Sequence, residues 1–378
     1  MNILIEGWRG INHSYSLVNQ WQILELLKSD KLYFKDEPFI SNKWNTNKNS
    51  SGLDAEATDI INNIATPNNE DMFDITYRIS SPLNFDNNFN SKKLFVFGTC
   101  EFKFLDKENY KNNLPEILTD NENFFIHTPS HWSKEGFLNI GFSKEQILVV
   151  PHGVDKNIFN IVSENKKKII KKKYKIDQDD FVLTNIGAMT KNKGVEVLIA
   201  AYGILKKKNK NLKLILKDQS NLYNIFAQTH IKDLKNSKYK DLIDDEIISN
   251  ILFISNNLNC EQVNDLYGIS DCYVSPYLAE GFGLTPLEAS SAGTPIVVTK
   301  GGSTDDYFNP IMGAQISSRF IKDNNATYLK PNIDSLVENI NLIINNPKNF
   351  GGKSSHSLIA KEFSVNKSVQ KLLNEINI

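Results

Sequence analysis

Apolar residues along this chain fall into short runs set apart by polar, glycine-bearing turns. Residues 2–6 form a compact apolar run, read as a strand, which Gly7-Trp8-Arg9-Gly10 interrupts at once. Residues 14–28 follow, with Leu17, Val18, Trp21, Ile23, Leu24 and Leu27 spaced to predict a helix that begins at Ser14. The next seventy residues are polar and irregular, above all 42–52, and read as excursions from a core. Residues 94–97 (Leu-Phe-Val-Phe), 124–127 and 147–150 predict short buried strands, with the start of a helix over Ser130 to Gly136.

Beyond Asp155 the pattern changes. A polar, lysine-rich segment runs to about residue 180 and is expected to hold the linker between two domains. Strands are then predicted at 181–186, 212–216, 251–254, 272–275 and 295–299. Between them lie helical patterns at 194–207, around 221–243, near 261–269 and at 284–292, and two more helices follow at 333–345 and 364–376. Strand–helix alternation at this spacing implies right-handed crossovers and a mainly parallel sheet covered on both faces. Ligands of such sheets bind in the loops beyond the carboxyl ends of the strands. The division expected from these patterns is a first domain over 1–160, a second over 161–355, and a C-terminal helix within 356–378 that packs back toward the first.

The chain of 378 residues is long enough for two cores of ordinary size. Its 43 basic and 44 acidic side chains leave a formal charge of -1, so no whole-molecule field draws it to nucleic acid or an anionic bilayer. The densest basic run, 166–173, reads as a solvated helix face. Cys100, Cys260 and Cys272 are too few and too far apart for a disulfide framework or a Cys-x-x-Cys metal site. Asp179-Asp180 and Asp244-Asp245 read as solvated turns, so no metal site is expected. The first residues read as a strand and not as a signal peptide. No apolar run approaches the roughly 18 residues needed to cross a membrane. The expected location is cytoplasmic, with weak peripheral membrane contact left open.

Candidate chemistry concentrates in 275–303. Glu280-Gly281-Phe282-Gly283-Leu284-Thr285-Pro286-Leu287-Glu288 carries two glycines that bracket a turn into a helix. With Thr285 as N-cap, Pro286 takes the first helical position and Glu288 completes a capping-box spacing. A start near Gly283 instead places more of the motif on the first turn. Either way the unpaired N–H groups at a helix entrance suit a diphosphate or sugar hydroxyls without a cationic side chain. Glu280 then lies in the loop and Glu288 within the helix, either as a capping carboxylate or as an acceptor for ribose hydroxyls.

This string resembles the E-x7-E motif of retaining glycosyltransferases of the GT-B fold, glycosyltransferase family 4. Glu280-Gly-Phe-Gly-Leu leads to Glu288-Ala, then to Gly293-Thr-Pro295 and Thr299-Lys300-Gly301-Gly302. Gly187-Ala188 through Lys193-Gly194 resembles the family's G-R-x-x-x-x-K-G element, and Pro151-His152-Gly153-Val154-Asp155 its hinge motif. The resemblance covers 181–305 and 124–155 and is nearly silent over 30–120. It implies two Rossmann-like domains facing each other across a deep cleft, an acceptor-side domain first and a nucleotide-sugar-binding domain second. It also implies retaining, metal-independent, hexosyltransferase-like transfer without a cofactor. The donor is then a nucleoside-diphosphate sugar, UDP- or GDP-linked, and the acceptor a saccharide or glycolipid, as in polysaccharide biosynthesis.

On this reading Glu280 and Lys193 are the catalytic candidates. Glu288, Gly281, Phe282, Gly283, Leu284, Lys217 and Gly187 are the donor-binding candidates. The family's Arg maps to Ala188. Lys217 is the preferred substitute, against its reading as a surface lysine, and Arg9 either compensates too, contacts an acceptor or pairs locally. The family's first-domain His has no counterpart in Phe97-Gly98-Thr99-Cys100-Glu101, so Glu101 or Thr99 replaces it or its contribution is absent. Arg9, Gly10, Thr99 and Glu101 are therefore candidate phosphate or acceptor contacts. The alternatives are a catalytically inactive nucleotide- or carbohydrate-binding protein and a phosphorylase or epimerase on the same architecture.

Overall fold

A computed structural model describes residues 1–39, 51–86, 90–111 and 122–376. Of the stretch expected to be most irregular, 42–50 lies outside the described residues. The chain forms two compact units. The first holds Met1–Asp155, Asp323–Thr327 and the chain from Phe363 onward; the second holds Lys156–Lys322 and Tyr328–Glu362.

The first unit is built on β1 (Asn2–Gly7), β2 (Lys31–Asp36), β3 (Phe73–Ile79), β4 (Ser91–Phe97), β5 (Phe124–Thr128) and β6 (Ile147–Val149). They form one sheet in the order β2-β1-β3-β4-β5-β6, every pair parallel. Helices α1 (Ser14–Leu26), α2 (Ala55–Asn62) and α3 (His131–Asn139) connect strands, and Ser130 caps α3 by accepting from the Ser133 N–H.

Two of these strands lie in the stretch that reads as irregular in sequence. In β3, Phe-Asp-Ile-Thr-Tyr-Arg-Ile, Thr76 and Arg78 interrupt the apolar run yet are buried. Arg78 belongs there because its Nε donates to Glu6 Oε2 on β1, while Lys35 Nζ lies 2.9 Å from Glu6 Oε1. At the sheet edge, β2 buries only Leu32 and Phe34, which leaves its sequence mostly polar.

The second sheet comprises β7 (Phe181–Gly187), β8 (Leu212–Asp218), β9 (Ile251–Ile254), β10 (Cys272–Ser275), β11 (Ile296–Thr299) and β12 (Gly313–Ile316). Their order is β9-β8-β7-β10-β11-β12, again wholly parallel. The sixth strand was not anticipated: Gly-Ala-Gln-Ile is too short and too weakly apolar to stand out. Covering elements include α4 (Glu164–Lys173), α5 (Val195–Lys206), α6 (Thr229–Lys235), α7 (Cys260–Ile269), α8 (Leu284–Ser291), α9 (Ile333–Asn345) and α10 (Gly352–Glu362). A two-stranded sheet, β13 (Ser318–Asp323) with β14 (Ala326–Pro331), follows the main one.

Strand alternation divides this core into two layers. Leu183, Leu214 and Leu216 join Leu198 of α5 and Leu336 and Ile340 of α9 in one cluster. Val182 and Ile215 join Ile170 of α4 and Leu266 of α7 in the other. Part of the lysine run expected as a solvated face turns inward: Lys171 is buried, and its amino group donates to the carbonyls of Gln178 and Asp180 at 3.1 and 3.0 Å. The last helix, α11 (Val365–Ile376), packs on α1 within the first unit. Its approach is tied to the 151–155 loop, where Val154 N–H donates to the Phe363 carbonyl at 2.8 Å.

Candidate active site

Strand order in the second sheet reverses between β7 and β10, the point where open parallel sheets expose adjacent loops to a ligand. The loop after β7 ends in a single 3-10 turn, Lys191–Lys193, and α5 starts behind Gly194. Gly194 has φ +69°, and a Cβ there would lie 1.9 Å from the Pro276 carbonyl oxygen, so only glycine lets the two loops approach. Asn192 stitches them together. Its carbonyl accepts from the Leu278 N–H at 2.7 Å, and its amide donates to the Ala279 carbonyl at 3.0 Å. This seam sets Lys193 Nζ 2.6 Å from Glu280 Oε2, with both side chains about one-fifth exposed (23% and 18%). The Gly281 N–H donates to Glu280 Oε1 at 3.1 Å.

Gly283, at φ +88°, is the N-cap of α8, so the helix starts at the earlier of the two expected points. Thr285 is not the cap. Its hydroxyl accepts from Tyr273 at 2.7 Å, and the Thr285–Glu288 capping box is not formed. Pro286 falls in the first turn, where its missing N–H costs no intrahelical bond. Gly283 supplies no side-chain cap, so the first-turn N–H groups keep their partial positive charge. Tyr307 holds the turn: its hydroxyl donates to the Gly283 carbonyl at 2.7 Å, and its ring lies 5.2 Å from that of Phe282. Leu284 opens the helix, half-buried. At the end of β7, a Cβ on Gly187 would meet none of the described residues within 4 Å.

Glu288 is 5% exposed and accepts a 2.8 Å hydrogen bond from the Tyr267 hydroxyl. Burial pushes its carboxyl up to about 8, against the opposing pull of that hydrogen bond. Lys217, near the end of β8, is buried instead of exposed, and its amino group donates to the Asp218 carbonyl. Burial lowers it to about 8. Its partners across the sheet are Ile186 and Ile254, one position short of the Asp218–Gly187 pair.

The four remaining candidates belong to the first unit. Arg9 is paired locally: Nε and Nη2 meet the Asp36 carboxylate at 3.0 and 2.9 Å, and Nη1 donates to the Ile61 carbonyl at 2.9 Å. Gly10, at φ +76°, donates its N–H to Gln20 Oε1 at 3.0 Å. Thr99 bonds through its hydroxyl and N–H to the Tyr15 hydroxyl at 2.9 and 3.1 Å. Glu101 accepts from Trp132 Nε1 through its carbonyl at 2.7 Å.

Asn192, Tyr267, Tyr273 and Tyr307 position this group and were not foreseen. The available signal was tyrosine among small and apolar strand or helix residues, since a buried phenol needs a partner for its hydroxyl. Both aspartate pairs sit in caps and turns, but one is not solvated: Asp180 is buried and accepts from the Asp177 N–H at 2.9 Å, whereas Asp244 caps a helix by accepting from the Ile247 N–H at 2.8 Å.

Comparison with known proteins adds the family. Residues 166–361, just over half of the chain, match the family described as Glycosyl transferases group 1. Mannosylfructose-phosphate synthase of Agrobacterium fabrum is 28% identical over 160 residues, 42% of this chain and 34% of that protein. The capsular polysaccharide biosynthesis glycosyltransferase CapM of Staphylococcus aureus is 26% identical over 185 residues, 47% of this chain and 43% of that protein. These alignments thus span well under two thirds of either relative. Anabaena HepE, solved with UDP and glucose, shares the fold over the whole chain: TM-score 0.70 at 15% identity, covering 100% of this chain and 99% of that one. With the GT-B pair of Rossmann-like sheets and this match across most of the second, the chain belongs to the glycosyl transferases group 1 family.

Proposed function

We propose that the protein is a retaining glycosyltransferase that moves a sugar from a nucleoside-diphosphate sugar, UDP- or GDP-linked, to a hydroxyl of a saccharide or glycolipid. The observation that carries this reading is the Lys193–Glu280 ion pair of 2.6 Å at the sheet's reversal point, beside a helix start without a side-chain cap.

In the free protein Lys193 and Glu280 neutralise each other. A diphosphate arriving at the first turn of α8 competes for the ammonium and releases the Glu280 carboxylate toward the sugar hydroxyls. Lys193 and the N–H groups of Gly281, Phe282, Gly283 and Leu284 then stabilise the charge that builds on the leaving diphosphate. Glu288, held by Tyr267, accepts from the ribose hydroxyls, and Gly187 leaves room for the nucleotide above the end of β7. Lys217 acts on the shape of the β8 end and not as a direct phosphate ligand, because its amino group is buried on its own chain. Arg9 is engaged by Asp36, which leaves the phosphate charge to Lys193 and the backbone. Retention follows a front-face path in which the leaving phosphate oxygen takes the acceptor proton; no metal step is invoked.

Among the described residues no helix is long and apolar enough to cross a membrane. The proposed setting is the cytoplasm, with weak peripheral contact where the acceptor is a glycolipid. The test is a thermal-shift panel of UDP-, GDP- and ADP-sugars, followed by product analysis with saccharide and glycolipid acceptors. Transfer with retained anomeric configuration is expected. Binding without transfer or hydrolysis would instead favour a carbohydrate-binding protein, and phosphorolysis or epimerised sugar nucleotide a different activity on this fold.

A further inference from the structure

The second unit holds a cluster that the transfer chemistry does not use. Glu196 lies in the first turn of α5, and His230 and Asp233 lie three positions apart on α6, where they share a helix face. Each offers one ligand atom, and these atoms lie within 4.8 Å of one another. His230 is the centre of the group and is only 4% exposed. Its Nε2 lies 2.8 Å from the Met189 carbonyl oxygen, a contact that requires the proton on Nε2. Among the described residues its buried Nδ1 has no hydrogen-bond partner, and it lies 3.6 Å from Glu196 Oε1, beyond hydrogen-bond reach. The ring so tethered turns Nδ1 toward two carboxylates. Three atoms able to ligate a cation converge there. A backbone carbonyl fixing the far nitrogen is the usual support of a metal-ligating histidine.

We propose that Glu196, His230 and Asp233 bind a divalent transition-metal ion of the Zn²⁺ class. One imidazole nitrogen with two carboxylate oxygens and water suits Zn²⁺ better than Mg²⁺ or Ca²⁺, which take all-oxygen shells. Tetrahedral bonds of about 2.0–2.1 Å set neighbouring ligand atoms roughly 3.3 Å apart. The His230–Glu196 pair, at 3.6 Å, is already near that spacing. Asp233 is exposed, so its carboxylate closes the remaining gap by side-chain rotation.

The ion has a structural consequence. Met189 sits at φ +55° in the loop between Gly187 and Lys193, so the His230 ring joins α6 to the segment that carries the lysine. Metal on Nδ1 locks the tautomer that holds Met189, and so stiffens the β7 loop without entering the transfer reaction.

The test uses the full chain, freed of metal with a chelator and titrated with Zn²⁺ by calorimetry and with Co²⁺ by absorption. One ion per chain is expected, with Co²⁺ d–d bands typical of a low-coordinate nitrogen–oxygen site and a rise in melting temperature with Zn²⁺. His230→Gln keeps an amide N–H for Met189 but removes the Nδ1 ligand, and Asp233→Asn keeps the side-chain shape. Both should fold as the parent does and bind Zn²⁺ at least ~10–100-fold more weakly. Lack of stoichiometric binding by the parent chain, or undiminished binding by both variants, would overturn the proposal. Neither readout depends on sugar transfer, so this inference and the proposed activity can fail separately.

Discussion

The two units share one plan, a six-stranded parallel sheet under helices, yet they treat charge at their strand ends differently. In the first, Glu6 is buried between Arg78 and Lys35, and Arg9 is clamped on Asp36. Burial alone would raise the Glu6 carboxyl, but the attraction and hydrogen bonds of Arg78 and Lys35 outweigh it and hold the group below its ordinary value. In the second, Lys193 and Glu280 pair at a partly exposed seam made of glycines and backbone. Charge in the first unit is committed to the fold. In the second, the Lys193–Glu280 pair is the charge that the proposed function exchanges for a ligand.

The largest effect should come from breaking the committed charge. Arg78→Ala leaves Glu6 buried with Lys35 alone and should cost about 3–5 kcal/mol of stability, read by urea denaturation. Because Glu6 is depressed in the folded state, its contribution is present above the ordinary carboxylate range and lost as pH falls through the depressed value. The variant's stability should therefore change less than the parent's over that acidic window. A loss below about 1 kcal/mol would erase the contrast, since that is the scale of a surface pair.

Next in size, Lys193→Ala should fold normally and lower turnover by ~10²–10³-fold. Circular dichroism and product formation separate the two effects, and undiminished turnover would remove the lysine from the site.

Smaller still, Glu288→Gln should weaken donor binding about tenfold, or ~1.4 kcal/mol. It also reverses a pH trend. The folded chain holds the Glu288 proton up to about 8, whereas the unfolded chain gives it up near the ordinary carboxylate value. Stability from this group is thus full at low pH and is lost as pH rises toward and through about 8. The Gln variant should melt progressively higher than the parent between pH 5 and 9, and parallel melting curves would contradict the buried, proton-holding carboxyl.

The second unit was the more legible in sequence because its strands are buried on both faces and read as near-continuous apolar runs, such as Leu-Lys-Leu-Ile-Leu in β8. The first unit concealed β3 because the Arg78–Glu6 partnership spans 72 positions and is invisible locally. The glutamate pair around the turn at 280–288 was visible as a motif. Its supports were not: Lys193 and Glu280 are 87 positions apart, and the tyrosines holding Glu288 and Thr285 come from α7 and β10. The α8 start was open in sequence because Thr285-Pro286 imitates a cap, while the left-handed backbone of Gly283 decides it.

Gly194 and Gly187 are indistinguishable as letters, yet they answer to opposite demands. At 194 any side chain would collide with the Pro276 carbonyl, so that position protects contact. At 187 a methyl group meets no neighbour among the described residues, whose packing does not call for glycine. What glycine preserves there is clearance above a strand end. Gly187→Ala should accordingly melt with the parent while gaining less protection from added nucleotide sugar, and equal protection would mean that the clearance serves no guest.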